Sequence, residues 1–570
     1  MKRCPHCRRD YLDETLSFCL DDGTALLEGP ASEPDTAILP SDISTSEPPP
    51  RQIEQPLRDE NAAARTSLAS RPWILPLIVV AVLSAAGFIA YVYWPSGDRV
   101  KPIDSVAVLP FQNKNTDADT EYLSDGLAES LIYRLSQLPD LKVSPTSSVF
   151  RYQGTEIDPV KVGTELGVSA VLSGRIVQHG DRLTISAELT DVRNNKLLWG
   201  EQYDRKISEL LSTQREIARE IVDKLRLRIS GDERGIAKQY TESNEAYQLY
   251  LKGRFYWGKR NADPLKKAID YFNQAIEIDP GFALAYAGLA DCYVVPAIQM
   301  APRAVMPKAK AAAIRALELD DSLAEAHTAL ARVYMSYEWN WPLAEREFKR
   351  AIDLDPRYAV AHQWYGGYLE ATGHHDEAIA ERKLALDLDP LSPIINFELG
   401  QAYFYSRDYD RAIDQYQKAL ELDPTFPPAN QFLPVAFELK GDVDKAIALF
   451  KASPLADKAG EFSMTTAGLG YAYAKKGQKA EALAVLDDLR RISGEGFVPS
   501  SSFALLFAGL GDKDQAFLRL EKAYEEHEFQ LQWLAIEPRW DSLRSDPRFT
   551  NLISRIGLLD PTSGRNTTNL

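Results

Sequence analysis

The chain contains little cysteine, with four residues among 570. Three of them, Cys4, Cys7 and Cys19, lie near the N-terminus, and Cys292 stands alone far downstream. A disulfide framework needs several spaced pairs, so the sequence excludes a disulfide-stapled fold. Positive charge is also scarce, because 65 Lys and Arg oppose 82 Asp and Glu for a net charge of −17. Such a surface repels phosphate backbones, so we expect no nucleic acid partner.

The sequence also lacks the short motifs that carry common enzyme chemistry. It contains no phosphate-binding glycine loop with lysine, no kinase catalytic-loop motif, no Gly-x-Ser-x-Gly elbow and no His-Glu-x-x-His helix. Each of these chemistries requires particular side chains at a fixed spacing. We therefore predict that the chain is not an enzyme.

The length of the chain indicates several modules, because domains usually hold about 100–200 residues. Its 45% apolar and 26% charged residues are typical of globular protein. We predict a multidomain fold in six segments: a zinc-ribbon-like knuckle (1–27), a disordered linker (28–71), one transmembrane helix (72–95), an α/β domain (103–230), an all-α repeat superhelix (243–530), and a C-terminal cap and tail (531–570).

The first segment carries the spacing of metal ligands. Cys4 and Cys7 are separated by two residues, and Asp22 follows Cys19 closely. Tetrahedral zinc needs four ligands, and so short a stretch buries too little apolar surface to fold without metal. We predict a structural zinc held by Cys4, Cys7, Cys19 and Asp22; His6 as the fourth ligand and a degraded, metal-free site are the alternatives. The spacing resembles that of short zinc ribbons that open many bacterial membrane and signalling proteins.

One long hydrophobic run lies between Trp73 and Trp94. It contains no charged side chain, and aromatic residues mark both of its ends. About 20 apolar residues cross the ~30 Å hydrocarbon core of a bilayer, and aromatic side chains suit its interfaces. Residues 28–71, rich in Pro, Ser, Glu, Asp and Thr, are typical of a disordered tether. We therefore predict a tether followed by a single transmembrane helix.

The charges that flank the hydrophobic run predict its orientation. Four arginines precede the run and two basic residues follow it closely: Arg51, Arg58, Arg65 and Arg71, then Arg99 and Lys101. Basic residues favour the cytoplasmic side, and ribbon thiols stay reduced in the cytosol. We predict a single-pass inner-membrane protein with a cytoplasmic N-terminus and periplasmic C-terminal domains.

Residues 103–230 alternate strand and helix patterns. A strand at 105–111 precedes an amphipathic helix, and three further strands at 170–177, 183–192 and 196–203 lead to a closing helix. The segment resembles the TolB N-terminal-type domain, also called the FlgO-like family, through Ala107-Val-Leu-Pro-Phe111, Tyr122-Leu-Ser-Asp-Gly126-Leu, Glu165-Leu-Gly167-Val, Gly174-Arg-Ile, Leu198-Trp199 and Tyr203-Asp204. The resemblance implies an α/β module of envelope proteins and bacterial regulators without catalytic residues. We interpret Asp125-Gly126 as a tight turn at a helix start.

Alanines recur with a period of 34 residues in the C-terminal half, at Ala344, Ala378, Ala412 and Ala446 and again from Ala482 to Ala516. This period resembles the tetratricopeptide repeat (TPR). The clearest copy carries Leu399, Gly400, Tyr403, Ala412, Tyr416, Ala419 and Pro424. The resemblance implies about eight helix pairs in a right-handed superhelix, with a concave groove that binds peptides, and a capping tail around Trp540 to Phe549. The spacing from Ala268 to Ala309 exceeds the 34-residue period, and the extra residues around 296–307 predict a loop or a longer helix.

These features together predict a membrane-anchored, non-enzymatic TPR scaffold or adaptor that binds partner proteins in the bacterial cell envelope. One alternative is a transmembrane signalling regulator that uses the cytosolic ribbon as its output. Another is a part of a kinase- or cyclase-related system without its own catalytic domain. The sequence identifies no partner, pathway or oligomeric state.

Protease accessibility tests the predicted topology. We expect external protease to digest residues 103–570 once the outer membrane of a Gram-negative cell is permeabilised, because these domains then face the periplasm. Immunoblots of intact, permeabilised and lysed cells measure this. Protection of the repeats until lysis would contradict the prediction and place them in the cytosol.

Overall fold

The computed structural model describes most of the C-terminal part of the chain and three short N-terminal strands. The described residues are 2–3, 10–11, 27–28, 103–114, 120–138, 141–154, 158–225, 240–259, 262–294, 301–454, 463–494 and 497–558. The chain divides into two compact units, residues 1–98 and 99–570.

The N-terminal unit contains a small antiparallel sheet. Its strands are β1 (Lys2–Arg3), β2 (Asp10–Tyr11) and β3 (Leu27–Glu28), in the order β2-β1-β3. The four predicted zinc ligands, Cys4, Cys7, Cys19 and Asp22, lie outside the described residues, so the zinc site stays a prediction.

The predicted transmembrane helix at 72–95 also lies outside the described residues and stays a prediction. Within the described part of the chain, every helix is too short or too polar to cross a bilayer.

A small α/β domain opens the second unit, as predicted. Its strands are β4 (Ser105–Val108), β5 (Gln112–Asn113), β6 (Lys142–Val143), β7 (Ala170–His179), β8 (Arg182–Asp191) and β9 (Lys196–Lys206). The sheet order is β6-β4-β7-β8-β9, with β5 beside β7; β4 pairs in parallel with β6 and β7, whereas β7, β8 and β9 form an antiparallel meander. The helices of this domain are α1 (Glu121–Ser136), α2 (Thr146–Phe150), α3 (Pro159–Leu166) and α4 (Leu210–Leu225).

Alternation of apolar and polar residues fixes which face of β8 is buried. Leu183, Ile185, Ala187 and Leu189 are buried, whereas the residues between them are more exposed. Because strand side chains alternate between faces, this pattern commits one face of the strand to the core. The turn before β9 uses Asn195 at φ 46°, a left-handed conformation that asparagine tolerates.

The interpretation of Asp125-Gly126 as a helix-start turn is wrong. Helix α1 begins at Glu121, so both residues lie inside it. A Cβ atom on Gly126 would stand 3.0 Å from the Cβ of Leu251, so the glycine lets α1 approach the first repeat helix closely. The Asp125 carboxylate is buried and accepts hydrogen bonds from Gln153 at 2.9 and 3.1 Å, and burial raises its pKa to about 7. The sequence pattern missed this role because the contact is tertiary.

Eight helix pairs follow in the described residues, in a TPR-like superhelix. They are α5 (Asn244–Gly258) with α6 (Ala262–Ile278), α7 (Ala283–Val294) with α8 (Pro302–Leu319), α9 (Ala324–Val333) with α10 (Trp341–Leu354), α11 (Ala359–Ala371) with α12 (His375–Leu388), α13 (Pro393–Tyr405) with α14 (Tyr409–Leu422), α15 (Pro427–Leu439) with α16 (Val443–Ala452), α17 (Ser463–Lys475) with α18 (Lys479–Ser493), and α19 (Ser500–Leu510) with α20 (Lys513–Glu525). Helix α8, which begins at Pro302, accounts for part of the predicted surplus.

The turns of the array repeat the same local chemistry. Asp408, Asp442 and Asp512 precede second helices, and each carboxylate accepts a hydrogen bond from a backbone N–H of the first turn at 3.1 Å. Between repeats, the side-chain amides of Asn396 and Asn430 donate to the carbonyls of the prolines that end the preceding copies. These side chains satisfy backbone groups that helix ends leave unpaired.

After the last helix pair, the described residues contain two 3₁₀ turns, Phe529–Trp533 and Pro538–Leu543, and helix α21 (Pro547–Ile556). Helix α21 contacts α20 of the last helix pair.

The α/β domain and the first repeats share one hydrophobic core. A continuous cluster of buried residues joins the sheet to Tyr247, Leu251, Phe282 and Leu323 of the repeat array. Around this core, the Tyr247 hydroxyl donates to the Ser130 hydroxyl at 2.6 Å. The two parts therefore form one packed body, although their patterns in the sequence differ.

Polar contacts extend this interface along the turns of the array. The guanidinium of Arg357 donates to the backbone carbonyls of Ser136, Leu138 and Leu141, with the Leu138 oxygen at 2.6 Å. Helix α1 ends at Ser136, so Arg357 satisfies carbonyls that the helix end leaves free.

A second polar contact lies one repeat further along the array. Asp389 accepts hydrogen bonds from Ser147 and Ser148, the latter at 2.7 Å. Burial raises the pKa of this aspartate. An Asp-Pro turn that ends a repeat thus also binds the α/β domain.

The role of Arg357 in joining the two parts is testable. We expect Arg357→Ala to lower the free energy of unfolding by about 2–3 kcal/mol, because charged hydrogen bonds to buried carbonyls are lost. Chemical denaturation followed by circular dichroism measures this. Arg350→Ala, at an exposed position on α10, is the matched control. Equal stability of the two variants would contradict the assigned role.

Candidate functional site

The candidate site is the concave groove formed by the first helices of the repeats. Arg332, Gln401, Tyr471 and Leu505 occupy the same position in four of these helices, because the repeat places equivalent residues on the same face. In TPR superhelices this face is the one available for an extended peptide. The groove is therefore where the sequence predicted partner binding.

In this structure the groove holds part of the protein itself. Residues 528–543, which we call the groove segment, include both 3₁₀ turns and lie against the first helices. Its apolar side chains are buried, with Leu531 1% exposed and Leu543 fully buried. Gln532 is also fully buried. The segment packs like core rather than like a surface tail.

Aromatic and polar contacts hold the groove segment. Ser336 donates from its hydroxyl to the side-chain oxygen of Gln532 at 2.9 Å, and Tyr471 donates to the Arg539 carbonyl at 3.3 Å. Tyr405 stacks on Trp533 with ring centroids 6.3 Å apart. The contacts come from three different repeats, so the segment runs along the groove.

A one-residue surplus in the third repeat helps to close the array. The spacing from Ala309 to Ala344 is 35 residues rather than 34, and the helix of this repeat continues into a π turn, Tyr334–Glu338. Extra residues in helices are often absorbed in this way. The turn ends at Trp339, which has φ 51°.

Trp339 connects this π turn to the end of the last helix pair. Its ring stacks on Tyr524 and His527, with centroids 5.0 and 4.7 Å away. Nearby, the Trp341 indole donates to the Ile556 carbonyl at 2.8 Å. An ion pair between Arg407 and Asp541 at 2.8 Å adds a contact near the end of the groove segment. The third repeat therefore contacts the last helix pair and the residues that follow it.

Charged groups lie buried inside the groove. Arg539 of the groove segment pairs with Glu537 of the same segment, with Nε to Oε1 at 2.9 Å and Nη2 to Oε2 at 3.2 Å. In the array, Arg382 of the second helix α12 pairs with Glu370 of α11 at 2.9 Å and with Glu398 of α13 at 2.6 Å. Arg382 is thus paired with acidic residues of the array, whereas Arg539 is paired with an acidic residue of its own segment.

Glu438 is the exception among these groups. Its side chain is 6% exposed, and within the described part of the chain neither carboxylate oxygen has a hydrogen-bond partner. Burial raises its pKa to about 7, with Glu537 contributing, whereas the charges of Arg539 and Lys475 lower it. An acidic group without a direct partner therefore lies in the groove beside the groove segment.

The sequence predicts the groove but not its occupant. The tail around Trp540 to Phe549 is predicted as a cap, and helix α21 does pack against the last helix pair. The groove segment carries more large apolar residues than a solvated cap requires: Phe529, Leu531, Trp533, Leu534, Ile536 and Trp540. That excess was the available signal. Among the described residues, no cluster of His, Cys, Asp or Glu could hold a metal ion.

Comparisons with protein families match three stretches of the array to tetratricopeptide repeat models: residues 249–282, 340–393 and 393–426. The repeats are tetratricopeptide repeats. Residues 103–222 match the second domain of the HilA/YgeH-like transcriptional regulators. The TolB N-terminal or FlgO-like resemblance of this segment stays a prediction.

Three curated relatives share parts of the chain. Putative adenylate cyclase 3 of Rhizobium meliloti (strain 1021) is 33% identical over 43% of this chain and 42% of its own length. Transcriptional regulator HilA of Salmonella typhimurium is 25% identical over 48% of this chain and 49% of its own. Type IV pilus assembly protein PilF of Pseudomonas aeruginosa is 35% identical over 15% of this chain and 34% of its own. The chain thus spans less than half of each of these relatives.

Solved structures also match the chain. A thermophilic TPR protein of Thermus thermophilus covers 34% of this chain and 99% of its own, at 20% identity and TM-score 0.30. Pseudomonas aeruginosa PilF covers 43% of this chain and 94% of its own, at 22% identity and TM-score 0.25.

A TPR fold is typical of a non-catalytic scaffold, and the putative cyclase supplies no positive evidence for catalysis here because the match is partial.

The buried Glu438 makes a pH dependence testable. Its folded-state pKa of about 7 lies above the ordinary 4.5, so the folded state binds more protons than the unfolded state between these values. The contribution of Glu438 to the free energy of unfolding is therefore fully present below pH 4.5 and is lost as the pH rises through 7. We expect Glu438→Gln to remove on the order of 2–3 kcal/mol of this loss between pH 5 and pH 8.

Denaturant titrations at several pH values measure the effect. Glu421→Gln, at an exposed position on α14, is the matched control and should keep the profile of the unsubstituted protein. If the stability of Glu438→Gln and of the unsubstituted protein changed with pH in the same way, the raised pKa of Glu438 would be contradicted.

Proposed function

We propose that this chain is a membrane-anchored, non-enzymatic scaffold that binds partner proteins through its TPR array in a bacterial cell envelope. The observation that carries the binding function is the groove itself, which accommodates a separate stretch of polypeptide, residues 528–543, along its first helices. A surface that holds one segment of polypeptide has the geometry to hold another. The hydrophobic run at 73–94 supports the membrane anchor.

The partial relatives agree with an interaction role. A pilus assembly protein shares part of the array, and assembly is a task of protein contacts. The fused core of the α/β domain and the first repeats adds a mechanical consequence. Because Arg357 and Asp389 fasten the array to the α/β domain, a partner bound to the repeats acts on one rigid body.

Site-specific photo-crosslinking tests the scaffold function. A photoreactive amino acid replaces Ile394 or Gln431, half-buried residues that lie two turns before Gln401 and Glu438 on the same faces of the first helices α13 and α15. We expect discrete covalent adducts with the same partner proteins in repeated experiments in the cells that produce this chain, because partners bind along the first helices. The matched control is Leu197, exposed on the α/β domain. Only diffuse adducts at both array positions would contradict the proposal.

The second candidate function is a transmembrane signalling regulator. The observation that favours it is the match of residues 103–222 to the second domain of HilA/YgeH-like transcriptional regulators, together with HilA itself over 48% of this chain. In this function the ribbon at 1–27 carries the output. Deletion of 1–27 should then abolish a transcriptional response while the crosslinks of the array persist, whereas a pure scaffold would keep its envelope function.

A further inference from the structure

The groove segment is attached to the array in a way that differs from the repeats. After α20 the chain turns at His527, which has φ 54°, and abandons the helix-pair pattern for short 3₁₀ turns. The backbone hydrogen bonds of these turns are local, such as Leu531 N–H to the Glu528 carbonyl and Trp540 N–H to the Glu537 carbonyl. Side-chain contacts therefore hold the segment against the groove. A segment held by side chains can leave a groove without unfolding the helices that form it.

One buried acidic group of the groove, Glu438, is not paired by the groove segment. Glu438 is buried beside Arg539, yet in the described part of the chain its carboxylate oxygens have no hydrogen-bond partner. The guanidinium of Arg539 instead makes both of its close contacts with Glu537. Since a buried carboxylate without a partner is unfavourable, the groove would gain from an arginine that is not already paired.

The rest of the groove wall reinforces this preference for positive charge. Glu370 and Glu398 share the single guanidinium of Arg382, and one Glu370 oxygen has no hydrogen-bond partner among the described residues. Arg332 faces Phe529 of the groove segment, with its guanidinium 4.7 Å from the ring centroid. The carboxylates of Glu370, Glu398 and Glu438 therefore outnumber the guanidinium groups of Arg332 and Arg382, and the exposed Lys475 at the end of α17 is the further cation near Glu438.

We propose that residues 528–543 are an internal ligand of the TPR groove, displaced by an extended peptide of a partner protein that presents an arginine to Glu438. This inference rests on the proposed scaffold function and identifies the chemistry of the partner. The competing peptide carries bulky apolar anchors, like those of the groove segment, and an arginine without a neighbouring acid. The attached segment has the advantage of a high effective concentration, so the groove stays closed until such a peptide accumulates.

Peptide binding to the full chain tests the proposal. The probe is a fluorescent synthetic peptide of residues 526–545 with Glu537→Gln, in which Arg539 has no acidic partner. We expect it to bind the Trp540→Ala variant at least tenfold more tightly than the unsubstituted protein, because loss of the buried indole weakens the attached segment. Fluorescence anisotropy of the peptide measures both affinities.

The charge contact is tested with a second substitution and a second peptide. Adding Glu438→Gln to Trp540→Ala should weaken the first peptide at least tenfold, while a peptide with Arg539→Gln should bind both variants equally weakly. Arg490→Ala, at an exposed position on α18, is the matched control and should behave as the unsubstituted protein. A folded Trp540→Ala variant that binds no peptide would overturn the proposal and make the segment a permanent part of the core.

Hydrogen exchange of the unsubstituted protein keeps the proposal testable if Trp540→Ala fails to fold. We expect the amides of 529–543 to exchange at least tenfold faster than those of α13 and α15, because the segment opens separately. Exchange of both sets only through global unfolding would contradict displacement. In that outcome, partner adducts at Ile394 or Gln431 would still support the scaffold function, so the two proposals fail independently.

Discussion

The repeat array depends on one packing rule: a small residue of one helix meets an aromatic ring of the next. A Cβ atom on Gly400 would stand 2.6 Å from the ring of Tyr416, and one on Gly288 would stand 2.6 Å from Phe272. Protein interiors are packed so closely that such contacts leave no room for another methyl group. The angle between paired helices, and with it the curvature that creates a concave groove, follows from these contacts.

Curvature brings the third repeat into contact with the last helix pair and the residues that follow it. The π turn at Tyr334–Glu338 carries Trp339 onto Tyr524 and His527, while Trp341 binds the carbonyl of Ile556. The groove segment then fills the space that remains. A binding surface and its internal occupant are thus made by the same chain, and access to the surface becomes an equilibrium between that occupant and partner peptides.

The array is also joined to the α/β domain, so the two parts do not move independently as separate domains on a linker would. Arg357 and Asp389 come from inter-repeat turns, and each satisfies polar groups at helix ends of the α/β domain. Such contacts are directional and require one relative orientation. A signalling function through this domain would therefore use motion of the whole body or opening of the groove segment.

The sequence by itself determined the helical repeats and the existence of a small α/β domain, because periods of 34 residues and of two residues are local properties. The helix ends before Asp355, Asp389 and Asp423 are equally local, since the proline that follows each aspartate stops the helix. Only the tertiary structure decided that Gly126 receives Leu251, that Glu438 is buried, and that residues 528–543 occupy the groove. These features join residues far apart in the chain, and their contacts arise from the curvature of the assembled array, which no local pattern encodes.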